Sequence, residues 1–180
     1  MKTSGLLTLL FAFVALAAAC NKEQEPDPNN NNNNNNNGGN NPPTETMLSC
    51  KTDGADWQSD TTNVVAVMVE VAGTKTLTIS GEAADGSSLV LSISLWTGVE
   101  GSFPTSLMSF TNYVAMAYTD TSDEAFSAPN INNAAATGTL TITYWDEEKV
   151  SGSFSFTGGQ DDTSDTMTIS EGSFSVTQVN

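Results

Sequence analysis

The sequence of 180 residues contains 21 acidic side chains and five lysines, with no arginine and no histidine. Its formal net charge of −16 at pH 7 repels nucleic acid, and no basic cluster opposes that field, so nucleic acid is excluded as a partner. Without histidine, the chain lacks Ser–His and Cys–His nucleophile pairs and histidine-containing zinc sites. Calcium binding and carboxylate-based hydrolysis stay open on composition alone.

The first 19 residues have the pattern of a secretory signal peptide. Lys2 gives a short positive start, and an apolar run over residues 5–19 follows it and closes with small side chains. A membrane-spanning helix needs about 20 apolar residues, so this run is too short for a comfortable uncleaved anchor. Cleavage after Ala19 would remove Lys2 and leave four lysines against 21 acids, a net charge of −17.

Residues 16–20, LAAAC, resemble the lipobox of bacterial lipoproteins. Ala17 stands where that motif usually has a large aliphatic residue, and Leu16 lies one place further back. The resemblance implies diacylglycerol on the Cys20 thiol and cleavage between Ala19 and Cys20. Several acyl chains on one cysteine hold a protein almost permanently, so the membrane is the first predicted partner.

Residues 21–25, NKEQE, resemble the surface-export signal of lipoproteins from Bacteroidota, in which a lysine or polar residue and then acids follow the lipidated cysteine. By that resemblance, Lys22, Glu23 and Glu25 direct the protein to the outer face of the outer membrane. The alternative is the polar start of an ordinary tether. Residues 20–45 as a whole are predicted to be a disordered tether, because their asparagines, prolines and glycines offer no apolar surface to bury.

Residues 46–180 form the single predicted domain, and their apolar side chains repeat with a period of two. Such alternation is typical of strands with one buried and one wet face. Turn residues such as Ala72 and Gly73 fall between the runs and favour antiparallel neighbours. The sequence therefore predicts an all-β domain of about eight to ten strands, mostly up-and-down and antiparallel, arranged as a sandwich or barrel. The alternating apolar residues include Leu77, Ile79, Leu89, Leu91, Ile93, Leu95, Leu140, Ile142 and Ile169.

Four segments of this domain resemble uncharacterised surface lipoprotein domains of Bacteroidota: residues 53–57, 77–81, 150–156 and 168–174. The similarity extends over most of residues 47–180, and the last two segments carry most of it. The resemblance implies an all-β fold and a surface location. It carries over no catalytic residue, so it implies no activity.

Cysteine and the acidic residues could support catalysis or metal binding, but the sequence favours structural roles for them. Cys50 shares a strand face with Leu48, which favours a small buried side chain over a reactive thiol. The acidic clusters at 120–124 and 161–165 lack the ligand order of an EF-hand, which favours solvated turns over a calcium site. No spacing selects a carboxylate pair for glycoside hydrolysis. We therefore predict no metal site, no cofactor and no catalytic residue.

Tryptophans 57, 96 and 145 are the remaining candidates for ligand contact. An exposed indole face can stack on a sugar ring, although large aromatic residues more often fill the core. Trp145 lies at the shoulder of a predicted hairpin, so at least one aromatic ring is expected to face outward. We take Trp96 and Trp145 as the candidate ligand contacts.

Together these features predict an outer-membrane lipoprotein, exposed at the cell surface, whose β domain is a non-catalytic binding or envelope-accessory module. Its partner would be an envelope protein or a glycan. The alternatives are a glycan-binding module of a polysaccharide-use system and a carboxylate-dependent glycoside hydrolase.

Overall fold

Residues 46–179 are described by a computed structural model, in which they form eleven β-strands and one short 3-10 turn at Thr61–Asn63. No α-helix occurs among these residues, so the predicted all-β fold is confirmed. The described part of the chain also contains no helix long and apolar enough to cross a membrane. The strands are β1 Met47–Thr52, β2 Ala55–Gln58, β3 Val65–Val71, β4 Thr74–Glu82, β5 Ser88–Trp96, β6 Gly101–Pro104, β7 Tyr113–Thr119, β8 Ala125–Ala128, β9 Gly138–Trp145, β10 Lys149–Gly159 and β11 Thr166–Val179.

Several predictions fall on residues outside this range. The signal peptide at 1–19, its cleavage site, the lipid attachment at Cys20 and the tether at 20–45 all lie outside the described residues. They stay predictions from the sequence.

Burial alternates along the strands as the sequence does. In β5, Leu89, Leu91 and Ile93 are buried, whereas Val90 and Ser92 between them are half-buried. Each such aliphatic side chain contributes roughly 1.5–3 kcal/mol when it is removed from water. Other predicted core residues are no more than 1% exposed: Leu77, Ile79, Leu140, Ile142 and Ile169.

The strand pairings close on themselves. Antiparallel pairing leads from β3 through β4, β5, β7, β8 and β10 to β11. A short parallel pairing then joins β11 back to β3, which completes a ring of seven strands. Strands β1 and β2 extend from β11, and β9 and β6 extend from β10. The sequence predicts the antiparallel neighbours but not the parallel pairing, because β11 is long and changes partner along its length. It also predicts eight to ten strands and not eleven, because β2, β6 and β8 are only four residues long and too short for a clear alternation.

Strand β11 also contains a bulge within its pairing with β1 and β10. Glu171 has a φ of 52°, and the pairing of β11 shifts register at this point with both β1 and β10. A bulge adds one residue to a strand and increases its local twist. Beyond it, β11 pairs with β10 as far as Thr177 and with β3 at Gln178 and Val179. The end of β11 therefore lies between β3 and β10.

The β3–β4 hairpin projects past this point. Its two-residue turn consists of Ala72 and Gly73, whose φ angles of 53° and 78° are the positive values that tight hairpin turns require. The turn predicted here is confirmed. Since β3 pairs with β11 only at Ala66 and Val67, its last four residues extend beyond that pairing.

Candidate functional site

A cleft of about 260 Å³ opens where β11 ends between β3 and the β9–β10 hairpin. The Gln178 backbone N–H donates to the Glu148 carbonyl oxygen at 2.7 Å, which fixes the end of β11 against the hairpin turn. We call this feature the Trp145 cleft. It is lined by Met68, Glu70, Lys75, Trp145, Glu147 and Gln178.

Trp145, the last residue of β9, is half-buried and is held by three neighbours. Its indole N–H donates to the Gly98 carbonyl oxygen, and its ring meets the Trp96 ring edge-on with the centroids 5.2 Å apart. The Nζ atom of Lys75 lies 5.3 Å from the Trp145 ring centroid, which is a cation–π contact. The indole that lines the cleft therefore has a fixed orientation.

Two consecutive backbone carbonyls in the loop between β5 and β6 accept hydrogen bonds from the two indole N–H groups. Trp96 donates to the Val99 carbonyl oxygen at 2.9 Å, next to the bond from Trp145 to Gly98. Gly98 has a φ of 78°, and a Cβ atom there would lie 2.8 Å from Cζ2 of Trp145. Glycine adopts this backbone conformation without strain and leaves room for the indole.

Lys75 and Glu70 form an ion pair at the rim of the cleft, directly opposite each other on β3 and β4. The Lys75 side chain is 19% exposed and that of Glu70 is 56% exposed. A pair at this level of exposure stabilises a fold by at most about 1 kcal/mol. The ion pair matters for the site because it holds the ammonium group of Lys75 beside Trp145.

Gln178 forms the floor of the cleft and is 8% exposed. Its Nε2 atom donates to the carbonyl oxygens of Asp146 at 2.6 Å and Lys149 at 3.2 Å, which fixes the orientation of the amide. Its Oε1 atom is buried and has no hydrogen-bond partner among the described residues. An unsatisfied buried acceptor costs about 1–3 kcal/mol, so this oxygen is an exception among the buried polar groups of the described residues.

The β9–β10 turn is braced by one carboxylate. Asp146 Oδ1 accepts the backbone N–H groups of Glu148 at 2.8 Å and Lys149 at 2.7 Å, and the Tyr144 hydroxyl donates to the other oxygen. The bond from Tyr144 and then the bond from Glu148 hold the pKa of Asp146 below its ordinary value. The same contact raises the pKa of Tyr144. The turn beside the cleft therefore carries an ionised carboxylate.

The structure brings the two candidate tryptophans together but places only Trp145 in the cleft. Trp96 is 0% exposed, so no face of its ring is open to a ligand. Alternation along β5 predicts that Leu95 is buried, but this prediction is wrong, since Leu95 is 44% exposed. The reason is a bulge at Leu95, where φ is 55° and the pairing with β4 shifts register. The extra residue turns Leu95 outward and Trp96 inward.

The sequence prediction misses Lys75 and Gln178. A period of two shows which face of a sheet a residue occupies, but it does not show which strand lies alongside. The one available signal is that Gln178 continues the inward series of Phe174 and Val176 with a polar residue. A polar side chain at a buried position is the kind of exception that marks a site.

The other features singled out in the sequence form no second site of this kind. Cys50 is 5% exposed beside the buried Leu48, as predicted, and burial raises the pKa of its thiol to about 12. A hollow of about 360 Å³ lies over β1 and β2, where Lys51 and Glu171 form an ion pair at 2.7 Å. Trp57 at its edge is buried, and its indole N–H already donates to Ser87 Oγ at 2.8 Å.

In both acidic clusters a carboxylate accepts structural hydrogen bonds, within a local turn at Asp120 and across the fold at Asp161. Asp120 Oδ1 accepts the backbone N–H groups of Ser122 and Glu124 at 2.8 and 3.0 Å. Asp161 Oδ1 accepts the side-chain amide of Asn130 at 2.9 Å. Within residues 46–179, no group of three or more cysteine, aspartate or glutamate side chains is placed to hold a metal ion.

Residues 44–177 match the family model of a domain of unknown function, DUF6252. No curated protein matches the chain, and no solved structure matches it. The family match thus covers nearly all of the described domain.

Proposed function

Because the chain belongs to the DUF6252 family, whose function is unknown, we propose its function from its own residues. It is a lipoprotein anchored in the outer membrane through Cys20 and displayed at the cell surface, and its domain binds a partner at the Trp145 cleft without changing it chemically. The observation that carries the binding proposal is the Gln178 side chain. Its amide oxygen is buried beside the cleft with no hydrogen-bond partner among the described residues.

The rest of the cleft supports recognition by the same reasoning. Ligand sites combine apolar or aromatic surface with a few placed polar groups. Here the fixed indole of Trp145 and the thioether of Met68 supply apolar surface, and the Lys75–Glu70 pair supplies a donor and an acceptor. These groups are preorganised, so a ligand would need to order few side chains on binding.

The carboxylates whose pKa values are shifted do not have the raised pKa of a general acid. A carboxylic acid that protonates a leaving group needs a raised pKa. Hydrogen bonds from Thr62, Ser87 and Tyr144 instead lower the pKa values of Asp60, Asp85 and Asp146, respectively. The Cys50 thiol, with its raised pKa, is protonated at neutral pH and is a poor nucleophile.

A glycan is the second candidate ligand. The observation in its favour is the half-buried Trp145 ring next to an amide oxygen and an ion pair, since sugars present an apolar face and several hydroxyl groups. The cleft of about 260 Å³ has room for about one sugar ring. This reading makes the domain a glycan-binding module of a polysaccharide-use system.

The binding proposal is tested by titrating the intact protein with envelope extracts and with a panel of neutral and acidic polysaccharides, following tryptophan fluorescence. We expect a saturable change that Gln178→Met and Trp145→Leu each weaken at least tenfold. Thr78→Val, on the outer face of β4, is the matched control and should bind normally. Binding that survives both cleft variants, or no saturable binding at all, would contradict the proposal.

The location is tested separately in intact cells. Protease added outside the cells should remove the domain from the native protein. Replacing Lys22, Glu23 and Glu25 with alanine should protect it, because the residues proposed to direct surface export are then missing. Full protection of the native protein would exclude surface display and leave the cleft proposal untouched.

A further inference from the structure

The loop between β6 and β7, residues 105–112, carries three apolar side chains that project into solvent. Leu107 is 55% exposed, Met108 is 87% exposed and Phe110 is 92% exposed. Large apolar side chains that are exposed together in one segment are typical of an interaction site. We call this segment the 105–112 loop.

Hydrogen bonds fix both ends of the 105–112 loop to the sheet. The Thr105 N–H donates to the Gly138 carbonyl oxygen at 2.9 Å, and Thr105 Oγ1 accepts the Gly138 N–H at 2.8 Å. At the other end, the Asn112 N–H donates to the Leu95 carbonyl oxygen at 3.3 Å. The Leu95 side chain, turned outward by the bulge in β5, adds exposed apolar surface beside this end of the loop. The apolar side chains are therefore presented on a supported loop.

Serine hydroxyl groups within the loop accept two of its backbone N–H groups. Ser106 Oγ accepts the Met108 N–H at 3.3 Å, and Ser109 Oγ accepts the Thr111 N–H at 3.3 Å. The Ser109 hydroxyl also donates to the Thr111 carbonyl oxygen. Moving a backbone polar group away from water is costly unless it has an internal partner. These groups can therefore leave water with their hydrogen bonds already made.

The loop lies in an uncharged part of an acidic chain. No charged residue occurs between Glu100 and Asp120, whereas the whole chain has 21 acidic residues, five lysines and a net charge of −16. A carboxylate next to the apolar side chains would lose its hydration when they became buried, at a high cost in free energy. Residues 101–119 contain no such group, so burial of the loop meets no opposition from their charges.

The exposure of the loop favours a fluid lipid surface over a protein pocket. Side chains that are about nine-tenths exposed project from the domain, so a partner must close around them. The boundary between lipid headgroups and acyl chains does this without a preformed cavity and accepts leucine, phenylalanine and similar side chains. A protein partner would need a matching pocket and a polar rim around it.

The chain itself does not supply a better occupant. Apart from prolines, residues 21–45 contain no apolar side chain that could cover the loop. A second copy of the chain brings the same excess of acids and is repelled. A flexible tether over residues 20–45 would reach roughly 25–30 Å, which keeps the domain close to the membrane. A tether of this length raises the effective concentration of the lipid surface, so even a weak contact becomes populated.

Resting on the lipid anchor in the proposed function, we propose that the 105–112 loop inserts into the lipid surface to which the chain is tethered. Leu107, Met108 and Phe110 enter the boundary between headgroups and acyl chains. The lipid that fits has no net charge, because the acidic domain is repelled by anionic headgroups. The loop then determines which side of the domain faces the membrane.

A fluorescent label on the loop tests insertion in the intact protein. Met108→Cys, purified from cells, is labelled with nitrobenzoxadiazole and mixed with phosphatidylcholine vesicles. Cys50 is 5% exposed and stays unlabelled, and native protein treated in the same way reports any dye on Cys20. We expect a blue-shifted emission that nitroxide groups on the lipid acyl chains quench. Ser122→Cys, in the exposed turn between β7 and β8, is the matched control and should keep the emission of a dye in water.

Mass spectrometry of the same sample separates the loop from the anchor by counting the acyl chains on Cys20. If Cys20 carries none, the proposed anchor fails. The label at residue 108 then decides the loop at a lipid concentration high enough for binding without an anchor. If Cys20 is acylated and the label stays in water, the anchor stands and the loop proposal fails.

A variant series measures what the apolar side chains contribute. The whole predicted mature chain, residues 20–180 with Cys20→Ser, has neither signal peptide nor acyl chains, so its vesicle affinity reports the domain alone. Phe110→Ser should weaken binding to phosphatidylcholine vesicles about tenfold, because burial of one large apolar side chain contributes at least that much. Val71→Ser, which removes an exposed apolar side chain from the β3–β4 turn, should bind normally. Phosphatidylglycerol vesicles should bind more weakly than phosphatidylcholine vesicles.

Three outcomes would overturn insertion of the loop. The first is the same water-exposed emission from the labels at residues 108 and 122. The second is equal vesicle binding by Phe110→Ser and Val71→Ser. The third is a dimer, or a crosslinked envelope protein, that Phe110→Ser removes while the label at residue 108 stays out of the lipid, because the loop would then bind a protein.

Discussion

Substitution of Gly98 by alanine tests whether the cleft depends on the close approach of the β5–β6 loop to Trp145. Gly98 and Gly73 have the same φ of 78°, but a Cβ atom at Gly73 would meet nothing within 4 Å. At Gly98 it would lie 2.8 Å from Trp145 Cζ2 and 3.2 Å from Lys75 Cε. Alanine therefore causes the same backbone strain at both positions, but only at Gly98 does its Cβ atom clash with a neighbouring side chain.

The backbone cost of alanine in a left-handed conformation is about 1–2 kcal/mol, so Gly73→Ala should lower the free energy of unfolding by that amount. Gly98→Ala should add about 1–3 kcal/mol, since the indole must move out of its packed position. Urea denaturation followed by circular dichroism measures both values. A shift in tryptophan emission should accompany Gly98→Ala alone.

A double variant isolates the contact. In a Trp145→Leu background the atom that a new Cβ would strike is absent, so the extra cost of Gly98→Ala should fall close to the value for Gly73→Ala. Equal destabilisation by Gly98→Ala and Gly73→Ala in the native background would refute the reasoning. So would an extra cost that persists without the indole.

Four further predictions concern other parts of the chain. Ala72→Asn should raise the free energy of unfolding by about 0.5–1 kcal/mol in thermal melts, because asparagine tolerates the positive φ of this turn better than alanine; a lower melting temperature would contradict this. Leu140→Ala should cost about 2–5 kcal/mol and Thr139→Ala within about 0.5 kcal/mol, and equal costs would mean that both faces of β9 are covered. The pKa of Asp146 is lowered in the fold, so its contribution to stability is present at neutral pH and is lost as pH falls below the ordinary aspartate value. Asp146→Asn should therefore flatten the acid limb of the pH–stability curve, and an unchanged limb would contradict it. Cys20→Ser should leave the protein unprocessed or released from the membrane fraction; mature-size protein still in the outer membrane would exclude the lipid anchor.

The strands and the core are predictable from the sequence because both depend on local alternation. Leu77 and Ile79 face inward for the same reason that Thr76 and Thr78 do not: successive side chains of a strand point to opposite faces. This reasoning fails at Leu95, where one bulge reverses the alternation and moves Trp96 into the core. A bulge of this kind has no dependable sequence signature outside glycine positions.

The site is less predictable than the fold because it is made of contacts between distant strands. Trp145 can be singled out by its residue type and its place at a hairpin shoulder. Gln178 joins it because β11 runs back alongside β3, and Lys75 joins it because it pairs with Trp96, whose ring packs against Trp145. Nothing in the spacing of either residue indicates these pairings. Chain topology, rather than any motif, assembles the cleft.

Strand β11 also determines when this fold can be completed. It pairs with β1, β3 and β10, so all three strands have an open edge until Thr166–Val179 is in place. Strands β1 and β3 lie near the beginning of the domain and take a partner from its other end. Such long-range pairing slows folding and prolongs the exposure of unpaired strands. The folding domain is therefore vulnerable to aggregation until β11 has docked.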